Sequence, residues 1–337
     1  MASTQGSTVT ISAQQLSWVV EGLRALDADV ATILERAGVI EAELQEPEAR
    51  FDPALEYALW NAALEVTGDP CLGLHMARAM RPGSFGTVDY MLRHQSTLRG
   101  ALEQMQRFGA LLDPRFSAQA DSAGEGEGES VRVSRDGGFP QPDVECLFAT
   151  IVMLCATKLP GYTPLQIRFV HRRKGPLETY EDFFPCEVVF GADHNEIRCA
   201  AGTLDAPLRR VDLALGRILE EHATKMLDEL PVADPFVLRA RRALLDDIAD
   251  GGPSLDALAT RLGVSTRTLR RRLQDHGTSY KELLDELRKE LGCRYVLNSD
   301  HGFEEVAALL GYVDSRTFYR NFKRWTGKTP AAYRKQG

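Results

Sequence analysis

The residues best placed to do chemistry are cationic, and their pattern occurs twice. Arg267, Arg270, Arg271 and Gln274 stand at i, i+3, i+4 and i+7, a spacing that puts side chains on one face of a helix. Arg316, Tyr319, Arg320 and Lys323 repeat that spacing further along the chain. At about 100° per residue, each stripe lies well away from an apolar i,i+4 pair, Leu269 and Leu273 in the first copy and Phe318 and Phe322 in the second. A single exposed basic face is ordinarily just solvated. Two copies, each behind a sharp turn, point to DNA. An α-helix fits the major groove, and arginine can donate two bonds to guanine O6 and N7, worth about 1–3 kcal/mol of discrimination each. Flanking lysines, hydroxyls and helix N-termini would hold phosphates and set the register.

Each stripe needs a turn to position it. "LDALATRLGVSTRTLRRRLQDHGTSY" (Leu255 to Tyr280) resembles "FEEVAALLGYVDSRTFYRNFKRWTGKTP" (Phe303 to Pro330). Leu258, Ala259, Leu262, Gly263 and Val264 correspond to Val306, Ala307, Leu310, Gly311 and Tyr312. Gly277 corresponds to Gly327. Each unit reads as a helix-turn-helix, at 254–276 and 303–326. Small Ala259 or Ala307 lets the second helix pack close. Gly263 or Gly311 takes the turn that only glycine makes without strain. Ser265 or Asp314 caps the next helix. Between the units, 279–299 reads as a linker helix of about 20 residues, spanning roughly 30 Å. That is near the ~34 Å between successive major grooves on one DNA face.

The charge of the whole chain supports a division of labour. The net charge is −8. From Asp234 onward, 19 Lys and Arg stand against 14 Asp and Glu, a net of +5; the rest holds 21 against 34, a net of −13. Such a split suggests that the C-terminal part meets a polyanion. At 337 residues the chain suits two domains, 1–230 and 236–337, with "LPVADP" supplying the linker 231–235. No apolar run is long enough for a transmembrane helix, and the N-terminus does not read as a secretory signal. The six cysteines are scattered without a CxxC pair, so structural disulfides and a zinc site are not expected and a reducing cytoplasm fits.

The first 230 residues read as α+β. Helices are expected over "QQLSWVVEGLRALD", over "FDPALEYALWNAALEVTGD" with Asp52 as N-cap and Gly68 as stop, and over "LRGALEQMQRFGALLD". Strands "RFSAQA" and "SVRVSR" flank a Gly/Glu-rich loop, 121–130. "VECLFATIVMLCATKL" reads as a buried helix, followed by strands "LQIRFVH", "EVVF" and "NEIRCAA". The helix "VDLALGRILEEHATKMLDELP" places Val211, Leu215, Ile218, Leu219, His222, Met226 and Leu230 on one face, a candidate dimer contact. No catalytic constellation is present: no GxSxG, HExxH, P-loop or GxGxxG after a strand. His75, His94, His171, His194, His222 and His301 lie far apart. No catalytic residue, cofactor or metal is therefore assigned.

The second unit, with its Gly-aromatic turn, F-x3-F pair, G-x-T-P and terminal Tyr-Arg, resembles the signature of the AraC/XylS family of bacterial transcription regulators. The first unit, "LGVSTRTLRRRL…GTSY", fits as well, so the likeness covers about the last hundred residues. "VEGLRALDADVATILERAGV", "TGDPCLGLHMARAMRPGSFGTVDYML" and "YEDFFPCEVVFGADHNEIRC…LDAPL" resemble the arabinose-binding-like effector domains of one subgroup. The resemblance implies base reading from Arg267, Arg270 and Arg271 in the first unit and from Ser315, Arg316 and Arg320 in the second. With Thr266, Tyr319 and Lys323 these form the candidate DNA-contacting set.

The resemblance also implies a small-molecule effector, lining residues unassigned, a homodimer, contact with RNA polymerase and a lean towards activation. The expectation is thus a cytoplasmic, effector-responsive, sequence-specific regulator of promoter or operator DNA, with no membrane partner. The family branch with a cysteine-based repair domain needs clustered zinc cysteines, which this chain lacks. A nonspecific architectural DNA binder is the main competing reading, and an enzyme with a DNA-binding appendage the second.

Overall fold

The computed structural model describes residues 9–46, 49–122, 128–229, 235–249, 252–298, 301–312 and 314–334. One compact unit comprises Ile11–Arg135 and Phe139–Leu230; the other is built on Pro231–Gly337. The expected linker falls on residues outside those described, save Pro235.

The first unit combines helices with two sheets. Strand β1 (Ile11–Ser12) pairs antiparallel with β2 (Arg50–Phe51). Around this ribbon lie α1 (Ala13–Ala25), α2 (Val30–Ala37), α3 (Glu41–Leu44), α4 (Ala54–Thr67), α5 (Leu72–Ala79), α6 (Gly86–Arg93) and α7 (Leu98–Phe108). The helix expected from Asp52 begins one residue late, at Ala54, because Asp52 and Pro53 form the entry turn. The Asp52 Oδ1 accepts from the Ala54 N–H at 2.9 Å. Gly68 ends that helix in the left-handed region, φ 64°, as expected.

The second sheet runs in the order β3-β4-β7-β5-β6. Its strands are β3 (Phe116–Ser122), β4 (Glu129–Arg135), β5 (Gln166–Phe169), β6 (Glu187–Phe190) and β7 (Asn195–Cys199). All its neighbours are antiparallel except β5 and β6. The Gly/Glu-rich loop is shorter than the sequence suggests, since β3 reaches Ser122 and β4 starts at Glu129; residues 123–127 lie outside the described set. Helix α8 (Gln141–Lys158) starts ahead of the expected apolar run, with Pro142 tolerated in its first turn. Then come α9 (Leu177–Phe183) and α10 (Leu213–Glu229). Trp18 and Trp60 meet edge to face at 5.5 Å between centroids in a core shared by α1, α4, α5, α8 and the larger sheet.

The described elements of the second unit are helical: α11 (Pro235–Ala249), α12 (Leu255–Arg261), α13 (Thr266–Asp275), α14 (Tyr280–Asn298), α15 (Phe303–Leu309), α16 (Ser315–Thr326) and α17 (Pro330–Arg334). Its core joins Leu283, Leu287 and Leu291 of α14 to residues of both flanking helix pairs. Arg241 of α11 is fully buried and pairs with Glu290 of α14.

The two helix pairs, α12–α13 and α15–α16, end their first helices alike. Gly263 donates to Thr260 O and Val264 to Ala259 O; Gly311 donates to Ala308 O and Tyr312 to Ala307 O. These are paired Schellman bonds around a left-handed glycine, φ 67° in both cases. A Cβ on Gly311 would also sit 2.9 Å from Pro253 Cδ. Gly263→Ala and Gly311→Ala should each lower stability by about 1–2 kcal/mol, the second more than the first. Urea unfolding checks this; two unchanged midpoints would contradict the strain argument.

Candidate nucleic-acid interface and effector cavity

The second helix of each pair is fixed in rotation by its apolar anchors. Leu269 and Leu273 in α13, and Phe318 and Phe322 in α16, have no exposed surface. Ser265 caps α13 by accepting from the Thr268 N–H at 3.1 Å, and Asp314 caps α16 by accepting from Thr317 at 2.9 Å. Bonds from the Thr317 N–H and hydroxyl hold the Asp314 carboxyl below its usual range. With the anchors inward, Arg267, Arg270, Arg271 and Gln274 are exposed together, as are Arg316, Tyr319, Arg320 and Lys323. Thr266 and Ser315, the first residues of the two helices, are half-buried. Tyr319 leans edge-on against Phe303, centroids 5.9 Å apart.

The basic residues of this unit fall into two groups. One group is tied into the fold. Arg324 holds Asp285 at 2.7 Å through both carboxylate oxygens, and Arg261 holds Asp247 at 2.8 Å. Arg288 donates to Leu310 O and Gly311 O, Arg334 to Val296 O and His301 O, and Arg272 lies over the Phe236 ring. The other group is exposed, with no ion pair among the described residues: Arg267, Arg270, Arg271, Arg316 and Lys323 on the two stripes, and Arg239 of α11 and Lys281 of α14 away from them. Arg320 joins the second stripe and has only the electrostatic influence of Asp314 nearby. Arg324 looks as basic in sequence as its neighbours, but Asp285 already neutralises it.

The first unit holds a partly open cavity of about 220 Å³ between the β3–β4 face and helices α1, α6, α7 and α8. Apolar side chains, among them Trp18, Leu102, Met105, Val133, Ile151 and Leu154, form most of its wall. Charge is confined to its ends. At one end lies a buried network of Glu56, Asp113, Arg115, Arg135 and Asp143, in which Arg135 meets Asp143 at 2.6 Å and Glu56 at 3.1 Å. At the other, Arg93 pairs with Asp89 at 2.7 Å and Lys158 bonds two backbone carbonyls. Sequence reasoning missed these residues. They come from elements far apart in the chain and share no motif, so no local signal marks them.

The family profile described as the arabinose-binding domain of AraC transcription regulator, N-term, matches residues 28–208, more than half of the chain. A helix-turn-helix domain profile matches residues 258–336. The chain belongs to the AraC family of transcription regulators.

Relatives in this AraC family align along nearly the whole chain. The ornithine utilization regulator of Pseudomonas aeruginosa is 28% identical over 90% of this chain and 89% of its own. The transcriptional regulator VirS of Mycobacterium tuberculosis is 27% identical over 97% of each. Among solved structures, the transcriptional regulator CdpR from Pseudomonas aeruginosa aligns over 93% of this chain and 97% of its own, at 23% identity and TM-score 0.42. The cavity wall lies mostly within the arabinose-binding match, with Gln15 and Trp18 of α1 upstream of it. The exposed stripes lie within the helix-turn-helix match. No group of three or more His, Cys, Asp or Glu residues among those described could hold a metal ion, and no described helix is long and apolar enough to cross a membrane.

The buried network gives this AraC-family chain a pH signature. Burial pushes the Asp143 carboxyl up to about 7, against the opposing pull of Arg135. Burial also opposes ionisation of Asp113, but the Arg115 and Arg135 guanidiniums overcome it and hold that group at about 2. A raised acid favours the folded state while it is protonated. The Asp143 contribution is therefore complete below about pH 4, the unfolded value, and is lost as pH rises through about 7. Asp143→Asn should weaken the fall in stability between pH 5 and pH 8, read from urea midpoints at the two pH values. An unchanged fall would contradict the assignment.

Proposed function

We propose that this regulator reads DNA with two helix-turn-helix units, one recognition helix in each of two adjacent major grooves, under the control of an effector bound in the N-terminal cavity. The observation that carries the reading is the pair of matched stripes of unpaired cations, each backed by a buried i,i+4 anchor. An exposed arginine with no internal carboxylate keeps its five donors for a ligand. A B-DNA base edge or phosphate takes them. Thr266, Arg267, Arg270 and Arg271 meet DNA from α13, and Ser315, Arg316, Tyr319, Arg320 and Lys323 from α16. Helix α14, 19 residues long, spans about 28 Å, close to the groove repeat of ~34 Å.

The work is divided at the linker 231–235, with 1–230 binding effector and partner subunit and 236–337 binding DNA. The chain performs no catalysis. Effector binding shifts a pre-existing equilibrium between states that differ in affinity for DNA or in contact with RNA polymerase. The outcome is activation in the bacterial cytoplasm.

Dimerisation uses α10. Its apolar residues divide between two faces: Leu219 and Ala223 pack inside their own unit, whereas Leu215, Ile218 and Met226 are exposed, Ile218 at 63%. Leu219 therefore drops out of the contact face expected from the sequence, and Leu215 and Ile218 take its centre. A Leu215→Glu/Ile218→Glu double variant should remain folded and run as a monomer in light scattering; a folded dimer would sink the proposal.

DNA reading has its own test. Arg316→Ala should relax base preference at one position, while Lys323→Ala weakens all sequences alike and reduces the salt slope by about one. Equal losses across sequences for both variants would leave the nonspecific architectural reading ahead.

A further inference from the structure

The cavity carries its charge unevenly. Lys158, the last residue of α8, is 7% exposed and lines the wall. Its Nζ donates to Arg93 O at 2.7 Å and Arg210 O at 3.3 Å, and no carboxylate pairs with it among the described residues. The neighbouring Arg93 already belongs to Asp89. This end therefore holds two cations and one carboxylate. Backbone carbonyls satisfy hydrogen-bond donors, and the Arg93 carbonyl at the C-terminus of α6 offsets only part of the charge, so the ammonium stays short of a full counter-ion, which is costly for a buried ion. Burial, and to a lesser degree Arg93, lower the Lys158 pKa, as expected of a cation short of a partner.

The opposite end is close to balance: Glu56, Asp113 and Asp143 stand with Arg115 and Arg135, Arg50 interacts with Asp113, and burial raises Asp143 to about 7, so no cation there lacks a partner for a second anion. Asp143 and Lys158 stand at the two ends of the α8 face, 15 residues apart, so about 22 Å separates them along the axis. Between them α8 lines the cavity with Leu147, Ile151 and Leu154, and Thr150 carries the only hydroxyl among the described residues of the wall. A polyol would find few partners there. A cavity of about 150 Å³ takes benzene, so about 220 Å³ takes roughly ten non-hydrogen atoms.

We propose that the effector is an amphipathic carboxylate, its anionic head against Lys158 and its apolar body, of roughly ten non-hydrogen atoms, laid along α8. The proposal rests on the cavity being the effector site. The carboxylate supplies the missing counter-charge and accepts from the third Lys158 donor. Its apolar body covers wall that water solvates poorly.

The test is calorimetric titration of the full-length protein with three probes of one length: octanoate, octan-1-ol and octan-1-amine. Octanoate should bind at least about tenfold more tightly than either of the others, as a charge-assisted bond would give. Lys158→Gln should bring octanoate and octan-1-ol within about twofold of each other. Equal binding of the alcohol and the carboxylate to the unaltered protein would overturn the proposal while leaving the cavity as the site. A preference for the amine would overturn it in favour of the acidic end. No binding by any probe would overturn it outright. Affinity for duplex DNA, measured with and without octanoate, separates the two levels. Charge-selective binding without a change in DNA affinity would sink the effector reading and leave the anion preference standing.

Discussion

Leu269 and Leu273 on one helix, and Phe318 and Phe322 on another, are wholly buried, and a helix pinned at two points one turn apart cannot rotate about its axis. That constraint decides what the C-terminal unit presents. The stripe of Arg267, Arg270 and Arg271 is exposed because the anchors are not, and the same holds for Arg316, Tyr319 and Arg320. The glycine turns at Gly263 and Gly311 fix where the anchored helices start, and the caps at Ser265 and Asp314 fix their first turns. α14 supplies the apolar surface on which both pairs pack. A loss of packing at Phe318 or Phe322 would therefore shift the exposed stripe through the phase of the helix, without altering any residue proposed to meet DNA.

Electrostatics divides the charges of each unit into those tied into the fold and those short of a partner. In the C-terminal unit, arginines that hold the fold have carboxylates, carbonyls or rings as partners, and the outward arginines are left free. A free guanidinium costs little while water solvates it, so the fold can keep these for a ligand. The N-terminal unit applies the opposite economy. Its cavity charges are buried, so each must be paired or held by hydrogen bonds. The network around Arg135 meets that demand by setting two guanidiniums among Glu56, Asp113 and Asp143, with burial raising Asp143 to about 7. Lys158, with carbonyls alone, meets it only in part.

The C-terminal unit was legible in the sequence because each of its determinants is local. Caps, glycine turns and i,i+4 anchors all act within one or two turns, and duplication let one copy check the other. The strands from Phe116 to Cys199 were legible from alternation, although β3 and β4 reach further into the Gly/Glu-rich segment than its composition suggested. The two-residue strands at Ile11 and Arg50 are too short to leave a period, and only their pairing defines them. The cavity was illegible for a different reason. Gln15, Met105, Val133 and Lys158 share a wall through tertiary packing, and no spacing in the chain relates them. Helix α10 shows a partial failure: its apolar residues read as one face, but Leu219 and Ala223 turn into their own unit while Leu215 and Ile218 do not.

The central claim is that two pinned helices read two adjacent grooves. Selecting bound duplexes from a random pool with the full-length protein, and sequencing those retained, tests it most directly. The account predicts two short enriched blocks whose centres lie about 10–10.5 base pairs apart. Retention of DNA without enriched sequence, or enrichment of a single block, would contradict it.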